Sequence, residues 1–356
     1  MPTDNGRWAL TILTNSLGKV ASEIKAITEP PLTSQPRVFL LRRVELNTTI
    51  MRRFFVSLVI GIGYFQLAQG QQQSGLLKIA AVQIRGYDKG DLPRSGYDPT
   101  TAFLPYIDRA GREGAQLIVF PEYVLGHVRV PGPITDKIAA AGAARHIYVV
   151  IGGWEDNSDG KYSDVALLFD RQGRIQGKYL KTHAAVDHYE GEPPWSKPPS
   201  GKNRTWFLEN DPEWLMRRGV DFPVFDLDFG RVGIEICYDG WFPEAARILS
   251  LKGAELIVWI NGRPGLVEDY IVKSVMFQSQ VAMVTANQAY GGGSMIGDMG
   301  QSEPQILARL PEKKEAMIVA AVDLNQIRKA RANSRNFQQR RPDLYRELTT
   351  PVRTKY

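Results

Sequence analysis

The chain of 356 residues carries one cysteine and four histidines. A single cysteine, Cys237, cannot close an intrachain disulfide, and it excludes zinc sites built on cysteine pairs. Packing must therefore hold the fold. His127, His146, His183 and His188 stand in no papain-like or caspase-like context. His183 and His188 flank Asp187, but their spacing puts them on different faces of a helix or a strand, so no metal is expected. The formal charge of +6 and the pI near 9.2 come without a basic stripe interleaved with aromatics. The basic residues gather at Arg42, Arg43, Arg52 and Arg53 and between Arg328 and Arg346, and no nucleic-acid partner is expected. Low-complexity tracts are missing too, because the 33 glycines and 22 prolines are spread over many turns.

What is present is material for a large core, with 43% hydrophobic and 10% aromatic residues, enough for one or two domains. The stretch from Met51, MRRFFVSLVIGIGYFQLAQGQQQ, has two arginines, an apolar run and the small residues Ala68-Gln69-Gly70. It reads as a secretory signal peptide over 51–70, with export to the periplasm or the extracellular space expected. A membrane anchor is the alternative, but the run falls short of the roughly 20 residues a spanning helix needs. No stable membrane insertion is expected after cleavage. Residues 1–50 then read as an over-extended start or a disordered segment, 77–348 as the folded domain and 349–356 as a tail.

From residue 77 short β-rich runs alternate with helical stretches: KIAAVQI, the helix PTTAFLPYIDRAGREG, AQLIVFPEY, the helix DKIAAAGAARH, then IYVVIGGWE. YSDVALLFD and RIQGKYLKTH read as antiparallel neighbours joined at RQG. FPVFDLDFGRVGIEICYD reads as a hairpin turning near Phe229-Gly230, followed by a helix with Pro243 at its start and Gly253 at its end. AELIVWI, VAMVTANQAY and AMIVAAVDL complete the strands. The pattern predicts an α/β layered sandwich around mixed sheets. The segment 193–219, rich in proline and tryptophan, is either a lid or pocket wall or a surface loop packed by its own aromatics.

Cys237 ends the run VGIEI and precedes YDGWFPEAARI, where backbone N–H groups can stabilise a thiolate and an oxyanion. Its position alone leaves a nucleophile and a buried structural cysteine equally open. Two strand-end residues suggest the first. Glu122 follows Phe120-Pro121 at the end of a buried strand, an expensive place for an unpaired charge, and Lys181 ends another. Strand ends of an open α/β sheet converge where ligands bind.

FPEY, KYLK and EICYDGWFPE resemble, in order and spacing, the Glu-Lys-Cys signature of the nitrilase superfamily of carbon-nitrogen hydrolases. The likeness extends from KIAAVQ to RRPDLY and includes GGGSMIGDMGQ. It implies a four-layer α-β-β-α sandwich that dimerises or assembles further through its helices and uses no metal or organic cofactor. It also implies that Glu122 takes the thiol proton, Cys237 forms a thioester, and Lys181 with the Tyr238 N–H holds the oxyanion. A second family glutamate, which orients the lysine, maps onto Glu190, with Glu192 competing. Tyr123, Tyr238 and Trp241 are the candidate substrate-binding residues. The expected substrate is a small linear amide or carbamoyl compound. Gly240 and Trp241 stand where acid-recognising relatives carry arginines, which argues against a substrate carboxylate. A nitrilase and a catalytically silent ligand-binding protein are the alternatives. Cys237→Ala and Lys181→Ala are expected to abolish turnover and leave the fold intact.

Overall fold

The computed structural model describes residues 75–87, 98–185, 209–300 and 303–350. All belong to the compact unit Gln71–Tyr356. The expected leader, Glu190, Glu192 and residues 193–208 lie outside the described residues.

One sheet contains β1 (Leu76–Gln83), β2 (Leu117–Val119), β3 (His127–Val128), β4 (Tyr148–Asp156), β5 (Tyr162–Phe169), β6 (Ile175–Leu180) and, from the far end of the domain, β13 (Ala316–Asp323). Its order is β13-β1-β2-β4-β5-β6, with β3 paired to β4. The run β1-β2-β4 is parallel, while β13, β5 and β6 join antiparallel. The second sheet contains β7 (Val224–Leu227), β8 (Gly230–Ile236), β9 (Leu256–Asn261), β10 (Ala282–Asn287), β11 (Ser294–Asp298) and β12 (Gln305–Leu310), side by side in reverse chain order. There β8, β9 and β10 are parallel and the others antiparallel.

Alternation along the strands explains the layers. Leu77, Ile79 and Ala81 of β1 pack with Ala166 and Leu168 of β5 and with Val232, Ile234 and Ile236 of β8, forming the core between the sheets. Their neighbours Ala80 and Val82 point the other way, onto Phe103 and Ile107 of α1 (Thr100–Arg112) and Ile138 of α2 (Pro133–Arg145). Strands buried on both faces read as continuous apolar runs, which is why these were visible in the sequence. A short helix, α3 (Pro212–Leu215), follows in the chain; α4 (Pro243–Leu251) and α5 (Asp269–Ser279) then pack Leu249, Val272 and Met276 against the second sheet. Each fully buried side chain of this size contributes about 1.5–3 kcal/mol. The helix α6 (Leu324–Asn333) closes the domain, its N-terminus capped by Asp323. The result is the expected α-β-β-α sandwich.

Two local expectations change. The β7–β8 hairpin pairs Leu227 with Gly230, so the turn is Asp228-Phe229, one residue early. The helix α2 starts at Pro133, because Gly132 and Thr135 cap it upstream of the expected DKIAAAG. Within the glycine-rich segment after Tyr290, Ser294–Asp298 forms the buried strand β11, which the sequence pattern did not single out.

Candidate active site

Glu122 sits just beyond β2, where the chain breaks sharply. Tyr123 has φ 64°, and Gly152 of β4 is required opposite, since a Cβ there would lie 2.7 Å from the Glu122 Cα. The Gln288 side chain fixes the break by donating to the Glu122 carbonyl at 2.8 Å. The carboxylate that results is fully buried.

Lys181 follows β6 and is equally buried. Its Nζ donates to Glu122 Oε1 at 2.8 Å, and lies 2.9 Å from Glu213 Oε2 and 3.4 Å from Asp164 Oδ2. Burial works against the ammonium, but Glu122, Cys237, Glu213 and Asp164 together hold its pKa well above the usual lysine value. The four acidic groups thus favour the ammonium. Glu213 stands on α3, which begins with an Asp211 cap and Pro212 at its first position. It also accepts from the Tyr123 hydroxyl at 2.8 Å and the Ala185 N–H at 2.5 Å.

Cys237 opens a 3-10 turn, Cys237–Trp241, immediately after β8. Its φ of 46° is left-handed, so the cysteine sits on a strained elbow without the flanking glycines of a G-x-C-x-G turn. The strain is held from behind. The Trp259 indole donates to the Cys237 carbonyl at 2.8 Å, and Gly240 lies flat on that indole, where a Cβ would come within 2.3 Å. Cys237 is half-buried, the Gly262 N–H pulls its thiol pKa down, and Glu122 Oε2 lies 2.9 Å from where a Gly262 Cβ would stand. Sulfur and carboxylate thus meet at Gly262. Burial and then the Glu122 carboxylate push the thiol pKa well above its ordinary value, against the pull of Lys181 and the Gly262 N–H. The surroundings thus favour the thiol over the thiolate.

Asp239, in the same turn, ties the cysteine elbow to the end of β6. Its Oδ1 accepts from the Thr182 hydroxyl at 2.7 Å and from the His183 N–H at 2.8 Å, and it lies 2.8 Å from His183 Nδ1. Its Oδ2 accepts from the Tyr179 hydroxyl at 2.7 Å and the Ile236 N–H at 3.2 Å. Burial alone would raise its pKa, but these donors hold it below the ordinary aspartate value. His183 is engaged here. Among the described residues no group of three or more His, Cys, Asp or Glu is arranged to hold a metal ion.

The structure therefore brings Glu122, Lys181 and Cys237 together. Glu190 lies outside the described residues, and the second carboxylate found on Lys181 is Glu213, which sequence reasoning missed. Its signal was the helix-start pattern Asn210-Asp211-Pro212 ahead of an acidic residue that becomes buried. Tyr123, a candidate for touching substrate, is 2% exposed, stacked on Trp154 and donates to Glu213, the second carboxylate on Lys181. Tyr238 is half-buried against Phe242, and its N–H occupies the turn's first residues, where helical donors have no internal partner. Trp241 is 54% exposed, with the Arg263 guanidinium 5.5 Å from its ring centroid.

The carbon-nitrogen hydrolase family model matches residues 78–332, most of the chain. The chain belongs to the carbon-nitrogen hydrolase family. It is 27% identical over 265 residues to a probable nitrilase of Schizosaccharomyces pombe, covering 66% of this chain and 86% of that one. It is 25% identical over 274 residues to the human omega-amidase NIT2, covering 70% and 91%. Among solved structures, a double mutant of the amidase from Nesterenkonia sp. AN1 in complex with acrylamide superposes with a TM-score of 0.57 at 17% identity, covering 78% of this chain and 98% of that one. At that identity the likeness speaks for the fold alone, and the fold is that of the nitrilase superfamily.

Proposed function

We propose that this family member is an amidase-type hydrolase that cleaves a small linear amide or carbamoyl compound through a thioester on Cys237. The observation that carries the reading is the buried Lys181 ammonium, 2.8 Å from Glu122 and 2.9 Å from Glu213, beside a half-buried thiol that meets Glu122 at Gly262. A thiol raised in pKa cannot wait as a thiolate. Glu122 takes its proton as the sulfur attacks the amide carbon, a contribution of about 10² to 10⁴ in rate for a positioned base. The Lys181 ammonium and the Tyr238 N–H receive the charge that develops on oxygen, each such donor being worth about 3 kcal/mol. The carboxylic acid of Glu122 then protonates the departing amine, leaving the thioester. A water deprotonated by Glu122 attacks the acyl carbon, and collapse releases the acid and restores the thiol. Glu213 takes the role expected of Glu190 and orients Lys181.

Exposed Trp241 at the elbow supports an uncharged, apolar face on the substrate. Export after cleavage near Gly70 and self-association through α4 and α5 belong to the same proposal. The decisive experiment is intact-mass analysis after brief incubation with panels of amides and nitriles. A trapped acyl adduct that disappears in Cys237→Ala, with ammonia released from amides, is expected. Nitrile turnover in place of amide turnover would make it a nitrilase, and no adduct from either panel would leave a ligand-binding protein.

A further inference from the structure

Lys181 faces three carboxylates, and the proposed mechanism uses two. Asp164 lies inside β5, its side chain fully buried, with its Oδ2 3.4 Å from Lys181 Nζ. Among the described residues neither of its oxygens, nor Glu122 Oε2, has a hydrogen-bond donor. The Asp164 and Glu122 carboxyl groups crowd the same Lys181 Nζ, at 3.4 and 2.8 Å, and Glu122 acts on the Asp164 pKa both by its charge and through a side-chain hydrogen bond. Two carboxylates in contact repel unless one carries a proton, and one ammonium balances only part of the charge of three acids. The acid farther from the cation takes the proton: Glu122 and Glu213 lie at 2.8 and 2.9 Å, Asp164 at 3.4 Å.

We propose that Asp164 is a positioning residue, a neutral acid at working pH that donates a hydrogen bond to the Glu122 carboxylate and holds the base in line with Cys237. The ionisable groups that face it from the neighbouring elements are Glu122 beyond β2, Lys181 beyond β6 and Glu213 on α3, with the Tyr123 phenol close enough to feel its charge. Burial first, then the Glu122 carboxylate, pushes its pKa well above the aspartate range, against Lys181. Deprotonation would remove the donor from Glu122 and add a second repelling charge beside it. Activity therefore falls on the alkaline side when Asp164 ionises, not when the thiol does.

The inference rests on Glu122 as the base, and the experiment separates the two. The infrared difference between wild type and Asp164→Asn near pH 7 reads the protonation of Asp164 without any substrate. A carboxylic-acid carbonyl band present only in wild type is expected, and it should shift on labelling with [4-13C]aspartate, a reading that needs no variant to fold. Carboxylate bands in its place overturn the inference whatever the activity. In turnover, Asp164→Asn can still donate to Glu122 through its amide. It should keep kcat/KM within about tenfold near neutrality while its alkaline limb moves up by about one pH unit or more, and Asp164→Ala should lose about 10² or more. An alkaline limb unchanged in Asp164→Asn also overturns it. Absence of amide turnover in wild type would sink the amidase reading and leave the infrared result standing.

Discussion

Removing the Lys181 ammonium would leave Glu122, Asp164 and Glu213 buried around an empty place. Breaking a buried charge cluster from one side typically costs about 3–5 kcal/mol. The sequence alone suggested that Lys181→Ala would leave the fold intact; the geometry adds a cost in stability. Thermal unfolding of Lys181→Ala should show a lowered Tm, with the deficit shrinking as pH falls and the carboxylates take up protons. Lys181→Arg should lose turnover as well, because a planar fork cannot occupy the point that one Nζ shares among three acids. Glu213→Gln should lose about 10² in kcat, and lose more than Glu190→Gln, in side-by-side steady-state assays. Glu122, Lys181 and Cys237 were legible because each ends a strand and the motifs around them, FPEY, KYLK and EICYDGWFPE, are local to the chain. Glu213 reaches the site from the short helix α3, well after Lys181 in the chain, and a tertiary contact of that kind leaves no periodicity to read.

Elements carry the titrating groups that tune stability. Asp239 joins the turn after β8 to the end of β6, and its pKa is held below the ordinary aspartate value. Its contribution is therefore present above its unfolded pKa near 4 and is lost as pH falls through the lower folded value. The Tm difference between wild type and Asp239→Asn should be largest near pH 6–7 and should shrink below about pH 4. Glu235, within β8, behaves oppositely. Burial and then the Asp239 charge push its pKa up to about 8, and neither of its oxygens has a hydrogen-bond partner among the described residues. The native state binds this proton more tightly, so stability falls as pH rises from the unfolded value near 4 through about 8. Glu235→Gln should raise the Tm at pH 8 and above and change it little near pH 4. At this scale β1, β2, β4 and β8 to β10 were readable as buried apolar runs. The helix α5 was not, because its Ile271, Val272 and Val275 suit a strand as well as a helix, and β11 hid behind three glycines.

For the whole molecule, two expectations can be checked on protein expressed from the full gene. Expression in a secreting host should yield a mature N-terminus near Gln71, read by Edman sequencing; Met1 on the exported protein would refute the leader. Light scattering should find a dimer or larger assembly that Phe277→Glu breaks, since Ile248, Leu251 and Phe277 expose apolar surface on α4 and α5. The left-handed backbone at Cys237 has a consequence for the folded state as a whole. An L side chain in that conformation costs about 1–2 kcal/mol that glycine does not incur. Cys237→Gly and Cys237→Ala should be equally inert, yet the glycine variant should melt at the higher temperature: reactivity at this elbow is kept at the expense of resistance to heat, and abandoning the chemistry would give some of that resistance back.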